Sequence, residues 1–125
     1  ELRFKISDMH NFQNLVIWKK AINLVEDIYR LTLKFPKDEK YGLTSQIKRS
    51  AVSIPSNVAE GAGRNTEGEF KNFLGIASGS SNELFSQLVL SHKLGFITKN
   101  ELEPILIKLE EIQKINYTLI KKFTK

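Results

Sequence analysis

The sequence predicts an all-α fold, an antiparallel up-down-up-down four-helix bundle. Three observations lead there. Four stretches of roughly 20–28 residues carry apolar residues at steps of three and four. The connections between them are short and marked by Pro, Gly and capping residues, as between antiparallel neighbours. No strand-like alternation of useful length, internal repeat or low-complexity tract interrupts the pattern.

Residues 1–14 show weak periodicity and read as an N-terminal arm preceding a bundle over 15–125. The first helix covers about 15–35. Ile17, Ala21, Leu24, Ile28, Leu31 and Phe35 form one apolar stripe, and Trp18, Ile22, Val25, Tyr29 and Thr32 form the next. An arc that wide exceeds one packing contact and predicts burial on more than one side. Pro36 is expected to stop the helix.

The second helix, about 44–63, is the stretch around which the chain is organised. Thr44 or Ser45 is its expected N-cap, Pro55 is expected to kink it near 51–55, and Gly61 and Gly63 to end it. Leu43, Ile47, Ala51, Ile54, Val58 and Ala62 share an apolar face. Gln46, Arg49, Ser53, Asn57, Glu60 and Arg64 share a polar one. Short or planar hydrogen-bonding groups can be enclosed if each finds a partner. The other reading is a solvated face with Glu60 and Arg64 as a surface i,i+4 pair.

Thr66 and Glu69 make the T-x-x-E pattern that opens the third helix, about 66–94, and Gly95 closes it. Its middle, Ala77 to Asn82, is a poor helix former rich in small residues, which let another backbone approach. The apolar spacing carries through, so one continuous helix is expected. The fourth helix, about 99–123, opens with a second T-x-x-E, Thr98 to Glu101. Leu102, Ile105, Leu109, Ile112, Asn116, Leu119 and Phe123 form a coiled-coil-like seam, in which a polar Asn116 is expected to fix register or oligomer state. The surplus apolar arcs of helices one and four predict the homo-oligomer.

Hydrophobic content of 41% and charged content of 26% are those of a globular protein, and no apolar run approaches the ~18 residues that span a bilayer. No membrane association is expected. With no Cys there is no disulfide or thiolate metal site, and with no signal-like leader the expected location is the cytoplasm. Fifteen Lys and four Arg against 14 acidic residues give a net charge of +5, which favours polyanionic partners.

Catalytic motifs are scarce. His10 and His92 are the only histidines, too few for a Ser-His-acid triad or a His-rich metal site, so no enzyme, metal, cofactor or small-molecule substrate is expected. Gly61 to Arg64 lies at a helix C-terminus, where the dipole opposes anions. Lys19, Lys20, Lys48, Arg49, Arg64 and Lys71 are the candidate nucleic-acid residues. Aromatic interleaving is missing from this set, so phosphate-led binding with weak sequence preference is expected.

The chain also resembles a known family. The spaced motif reads Leu15, Trp18, Ala21, then Phe35-Pro36, Glu39, Gly42-Leu43-Thr44, Gln46, Arg49, Ala51, Ser53-Ile54-Pro55, Asn57, Ala59-Glu60-Gly61, Arg64, Glu69-Phe70, Ala77, Gly79-Ser80 and Glu83-Leu84. Over about residues 12–97 it looks like the four-helix-bundle proteins encoded by intervening sequences within bacterial 23S rRNA genes, long labelled as a ribosomal protein. The resemblance implies a homopentameric ring and association with rRNA or ribosomes. It extends to the accessory variability determinant of diversity-generating retroelements, a basic pentamer that binds nucleic acid and a reverse transcriptase. It also implies that Gln46, Arg49, Ser53, Asn57, Glu60, Arg64, Ser80 and Glu83 form a polar network within the bundle or across the subunit joint. Breaking a buried ion pair in it would cost about 3–5 kcal/mol. Two function classes follow: an RNA-binding oligomer, or a scaffold ring for a protein partner such as a reverse transcriptase.

Overall fold

Four α-helices account for most of residues 11–124, the part of the chain that the computed structural model describes. They are α1 (Val16–Thr32), α2 (Leu43–Ala62), α3 (Glu67–Lys93) and α4 (Lys99–Lys122), with 3-10 turns at Phe12–Asn14 and Lys37–Glu39. There is no strand among the described residues. Each helix packs on two others, α1 on α2 and α4, and α3 on α2 and α4, while the backbones of the diagonal pairs stay apart. Partners run in opposite order along the α1–α4, α2–α3 and α3–α4 contacts. Lys20 and Asp27 of α1, and Lys34 just after it, meet Glu111, Lys108 and Glu101 of α4. Ser50 and Ser53 meet Gln87 and Ser80, and Leu74 and Ser78 meet Asn116 and Gln113.

One stripe per helix makes the core. Ile17, Ala21, Leu24 and Ile28 of α1 join Ile47, Ala51, Ile54 and Val58 of α2, and Leu74, Leu84 and Leu88 of α3 with Ile105, Leu109 and Ile112 of α4 complete it. Fully burying such a Leu or Ile side chain contributes about 1.5–3 kcal/mol. The Trp18, Ile22, Val25 and Tyr29 stripe of α1 is only half-buried or exposed, so within one chain α1 is buried on a single side.

Several element ends differ from the sequence expectation. Residues 1–10 of the arm lie outside the described residues, while Phe12–Asn14 is a turn packed on α1 and α2, with Phe12 edge-on to Trp18 at 5.4 Å. The first helix ends at Thr32 and not at Phe35. The Leu33, Lys34 and Phe35 N–H groups turn to carbonyls three residues back, which tightens the chain before Pro36, as the residue preceding a proline avoids the helical region. The N-cap of α2 is Gly42; Thr44 and Ser45 lie inside the first turn, and the Glu39 carboxylate accepts the Leu43 N–H at 3.0 Å. That helix runs unbroken through Pro55. Gly61 is inside α2, where an added Cβ would lie 2.6 Å from the Phe73 Cβ, so close approach to α3 and not helix termination demands glycine there.

The third helix is continuous through Ala77 to Asn82. Ser81, Ser86 and Ser91 donate to the carbonyls of Ala77, Asn82 and Gln87, which satisfies their hydroxyls locally. Gly95, at φ +81°, ends it. The Phe96 N–H reaches the Ser91 carbonyl and the Gly95 N–H that of His92, the paired bonds of a Schellman motif. Asn116 is buried in its own chain, donating to the Leu74 carbonyl at 2.9 Å. It therefore ties α4 to α3 and does not lie at a joint between copies.

Thr98 and Glu101 form a full capping box at the start of α4, and Glu101 also pairs with Lys34 after the end of α1. The Lys34 ammonium first, then the Thr98 backbone N–H, hold the Glu101 carboxyl at about 2, below its ordinary 4.5. A depressed carboxyl contributes stability that is complete above its unfolded value and disappears as pH falls through the folded one. Acid unfolding is expected to have a component between about pH 4.5 and 2 that Glu101→Gln removes, measured by pH-dependent denaturant midpoints.

Candidate nucleic-acid interface

The six cations singled out in the sequence do not form one patch. Lys19 and Lys20 lie on α1, where Lys20 is paired with Glu111 at 2.8 Å. Arg64 follows α2, paired with Glu60 at 3.2 Å and stacked 4.8 Å from the Phe73 ring centroid. Lys71 lies near the start of α3, at that same end of the molecule. Lys48 and Arg49 are on the second turn of α2, towards the opposite end. Arg49 is exposed, and neither has an acidic partner within 4 Å among the described residues.

The contact of α1 with α2 sets Lys48 over Tyr29, with Nζ 4.8 Å from the ring centroid. The 37–42 connection adds Lys40, whose Nζ lies 5.4 Å from the Tyr41 centroid. Tyr41 is 88% exposed and Tyr29 45%. A cation beside an accessible aromatic face offers both a phosphate contact and a stacking platform. This corrects the expectation that aromatics are missing from the basic surface. Tyr29 lies on the stripe of α1 that the core leaves uncovered, close to the C-terminal end of that helix. A third pair, Lys121 with Tyr117 at 5.7 Å, lies apart on α4. The adjacency of Lys40 with Tyr41 and the i,i+4 spacing of Tyr117 with Lys121 are signals in the sequence. The Tyr29–Lys48 pair needs the fold to bring its members together.

The polar stripe of α2 divides into separate parts. Ser53 and Ser80 share a 2.8 Å hydrogen bond across the α2–α3 seam, and the Asn57 amide donates to the Ser53 hydroxyl at 2.9 Å. Further along that seam the Ser50 hydroxyl bonds the Gln87 amide oxygen at 2.9 Å. Gln46, Arg49 and Glu83 are exposed. Glu60 and Arg64 form a surface i,i+4 pair, their side chains 56% and 42% exposed. Within the chain such a pair contributes about 0.3–0.5 kcal/mol and not the several kcal/mol of an enclosed one. No cluster of His, Asp or Glu that could hold a metal occurs among the described residues, and no helix is long and apolar enough to cross a membrane.

A model of the 23S rRNA-intervening sequence protein family matches residues 13–118. Among solved structures, the chain is similar to a protein with unknown function from the S23 ribosomal protein family of Bacteroides thetaiotaomicron. The TM-score is 0.77 at 28% sequence identity, covering 85% of this chain and 99% of that one. No curated protein matches. Neither matching description names an enzymatic activity.

Proposed function

The chain belongs to the 23S rRNA-intervening sequence protein family, and we propose that it is a non-enzymatic RNA-associated protein of the cytoplasm. In this reading it is an up-down-up-down antiparallel bundle that assembles into a ring, a pentamer by family resemblance. The reversed order of partners along the α1–α4, α2–α3 and α3–α4 contacts supports the bundle. The exposed surface of α3 supports self-association. From Asn72 to His92 it carries one charge, Glu83, and it exposes Ile76, Phe85 and Leu90. The charge-rich α4, with nine charged residues in its 24, is the solvent side.

The observation that carries the RNA reading is the end of the α1–α2 pair, where Lys40 and Lys48 lie over exposed Tyr41 and Tyr29, next in sequence to Arg49, which has no acidic partner among the described residues. A ring repeats that end around its axis, so modest contacts by one chain become avid. Binding is led by phosphate contacts, with bases stacked on the tyrosines. The test is the Lys40→Glu, Lys48→Glu, Arg49→Glu triple variant. If each cation contacts one phosphate of single-stranded RNA, the log–log salt slope falls by about 2, with roughly tenfold or greater loss of affinity at low salt. Wild-type affinity and slope in the triple variant, with loss in Lys19→Glu or Lys71→Glu instead, would move the site elsewhere. Unchanged RNA binding in all of them, or none in the wild type, would favour a scaffold ring for a protein partner.

A further inference from the structure

We propose that the Lys–Tyr end of the α1–α2 pair selects unpaired RNA over duplex RNA, with Tyr29 and Tyr41 setting the preference. The selection rests on the RNA reading of that same end and names the class of RNA it takes. Lys48 Nζ stands 4.8 Å from the Tyr29 ring centroid and Lys40 Nζ 5.4 Å from that of Tyr41, and the two tyrosines are 45% and 88% exposed. Gly42 caps α2, and Lys48 follows it by about 9 Å along the helix axis, so both pairs belong to one short stretch of surface. Tyr41 is carried on ordered backbone. The Lys40 N–H donates to the Lys37 carbonyl at 3.1 Å, the Gly42 N–H to the Glu39 carbonyl at 3.0 Å, and the Leu43 N–H to the Glu39 carboxylate at 3.0 Å. With the main chain tied on both sides, a tyrosine ring loses little freedom when a base stacks on it.

Cations and rings answer to different features of RNA. Phosphates are accessible on single and paired strands alike, so Lys40, Lys48 and Arg49 can contact both. Paired strands carry their charge more densely, and cations alone would therefore favour the duplex. Base faces in an A-form helix are stacked on one another, and its deep, narrow major groove keeps side chains out. An exposed tyrosine ring can stack only on a base that is unpaired, in a loop, at a bulge or at an end. Every base has a π-face, so the preference is for strandedness and not for sequence. The placement of each ammonium fits this division, because a base on the ring brings its own phosphate towards the cation beside it.

One unstructured RNA oligonucleotide, alone and annealed to its complement, is titrated by fluorescence anisotropy with the wild type, a Tyr29→Leu, Tyr41→Leu variant and a Tyr29→Phe, Tyr41→Phe variant. Neither tyrosine belongs to the core, and far-UV circular dichroism checks that the helices persist. The wild type is expected to bind the single strand more tightly than the duplex. The leucine variant is expected to lose about tenfold or more on the single strand, the scale of one stacked base, and to keep its duplex affinity. The phenylalanine variant keeps the wild-type preference, since the ring and not the hydroxyl does the stacking. Tyr117→Leu, at the pair that lies apart on α4, leaves both affinities unchanged. A wild type that binds the duplex as tightly as the single strand, or a leucine variant with the wild-type preference, would overturn the selection and leave a site led by phosphates alone. Equal losses in the phenylalanine and leucine variants would overturn stacking in favour of the hydroxyls. Absence of binding to either form would overturn the RNA reading itself, and the selection with it.

Discussion

Asn116→Asp is expected to lower the stability of the bundle by about 3–5 kcal/mol at neutral pH, the scale of an uncompensated buried charge. Asn116 is 1% exposed, and its amide donates to the Leu74 carbonyl at 2.9 Å. A carboxylate there would set an acceptor against the Leu74 carbonyl acceptor. Burial raises the pKa of that carboxyl above the unfolded value near 3.9, so the penalty is absent below the unfolded pKa and grows as pH rises toward the folded one. Once protonated, the acid can donate to the Leu74 carbonyl. Chemical denaturation at neutral pH and near pH 4 should therefore show a large loss that shrinks on acidification. A neutral-pH loss that does not shrink would mean that shape, and not charge, decides. Asn116→Leu provides the opposing case. The Asn116 Oδ1 is buried with no hydrogen-bond partner among the described residues, so an apolar side chain of similar size removes both the one bond and the orphaned oxygen and is expected to be near neutral.

Gly61→Ala is expected to cost about 1–3 kcal/mol, although alanine in the interior of a helix ordinarily gains about 0.5–1 kcal/mol over glycine. The clash wins because of what the new methyl meets. It would lie 2.6 Å from the Phe73 Cβ, 2.9 Å from the Phe70 Cδ1 and 3.3 Å from the Phe70 carbonyl oxygen. Two of these atoms move only if the start of α3 moves. Gly75→Ala is the control, with nothing within 4 Å of its added Cβ. Thermal or urea denaturation of the two variants should separate them in sign at concentrations where copies do not associate. Equal gains at both positions would show that α2 and α3 are not held this close at Gly61.

What the sequence made legible was mostly local. The Thr98–Glu101 capping box and Gly95 involve residues within five positions of each other, and their chemistry is the same in any fold. At the start of α3 the Thr66 hydroxyl accepts the Glu69 N–H, but the Glu69 carboxylate bonds that hydroxyl and not the backbone. The cap of α2 was less visible because it comes from Glu39, a carboxylate before the helix, and not from the hydroxyls at Thr44 and Ser45. Partners distant in sequence were hidden altogether. Nothing local tells that Asn116 would find the Leu74 carbonyl, 42 residues away, or that Lys48 would lie over Tyr29. Glycine was ambiguous for a similar reason: Gly61 looks like a stop signal until Phe73 is seen against it.

Association of a basic ring with RNA through phosphate-led contacts is best examined by fluorescence anisotropy. The wild-type chain is titrated into a structured rRNA fragment and into an unrelated RNA of equal length over a series of salt concentrations. Phosphate-led binding requires that both RNAs bind, that affinity weakens steeply and linearly on a log–log salt plot, and that the two differ only modestly. Absence of binding to either RNA even at low salt would contradict it.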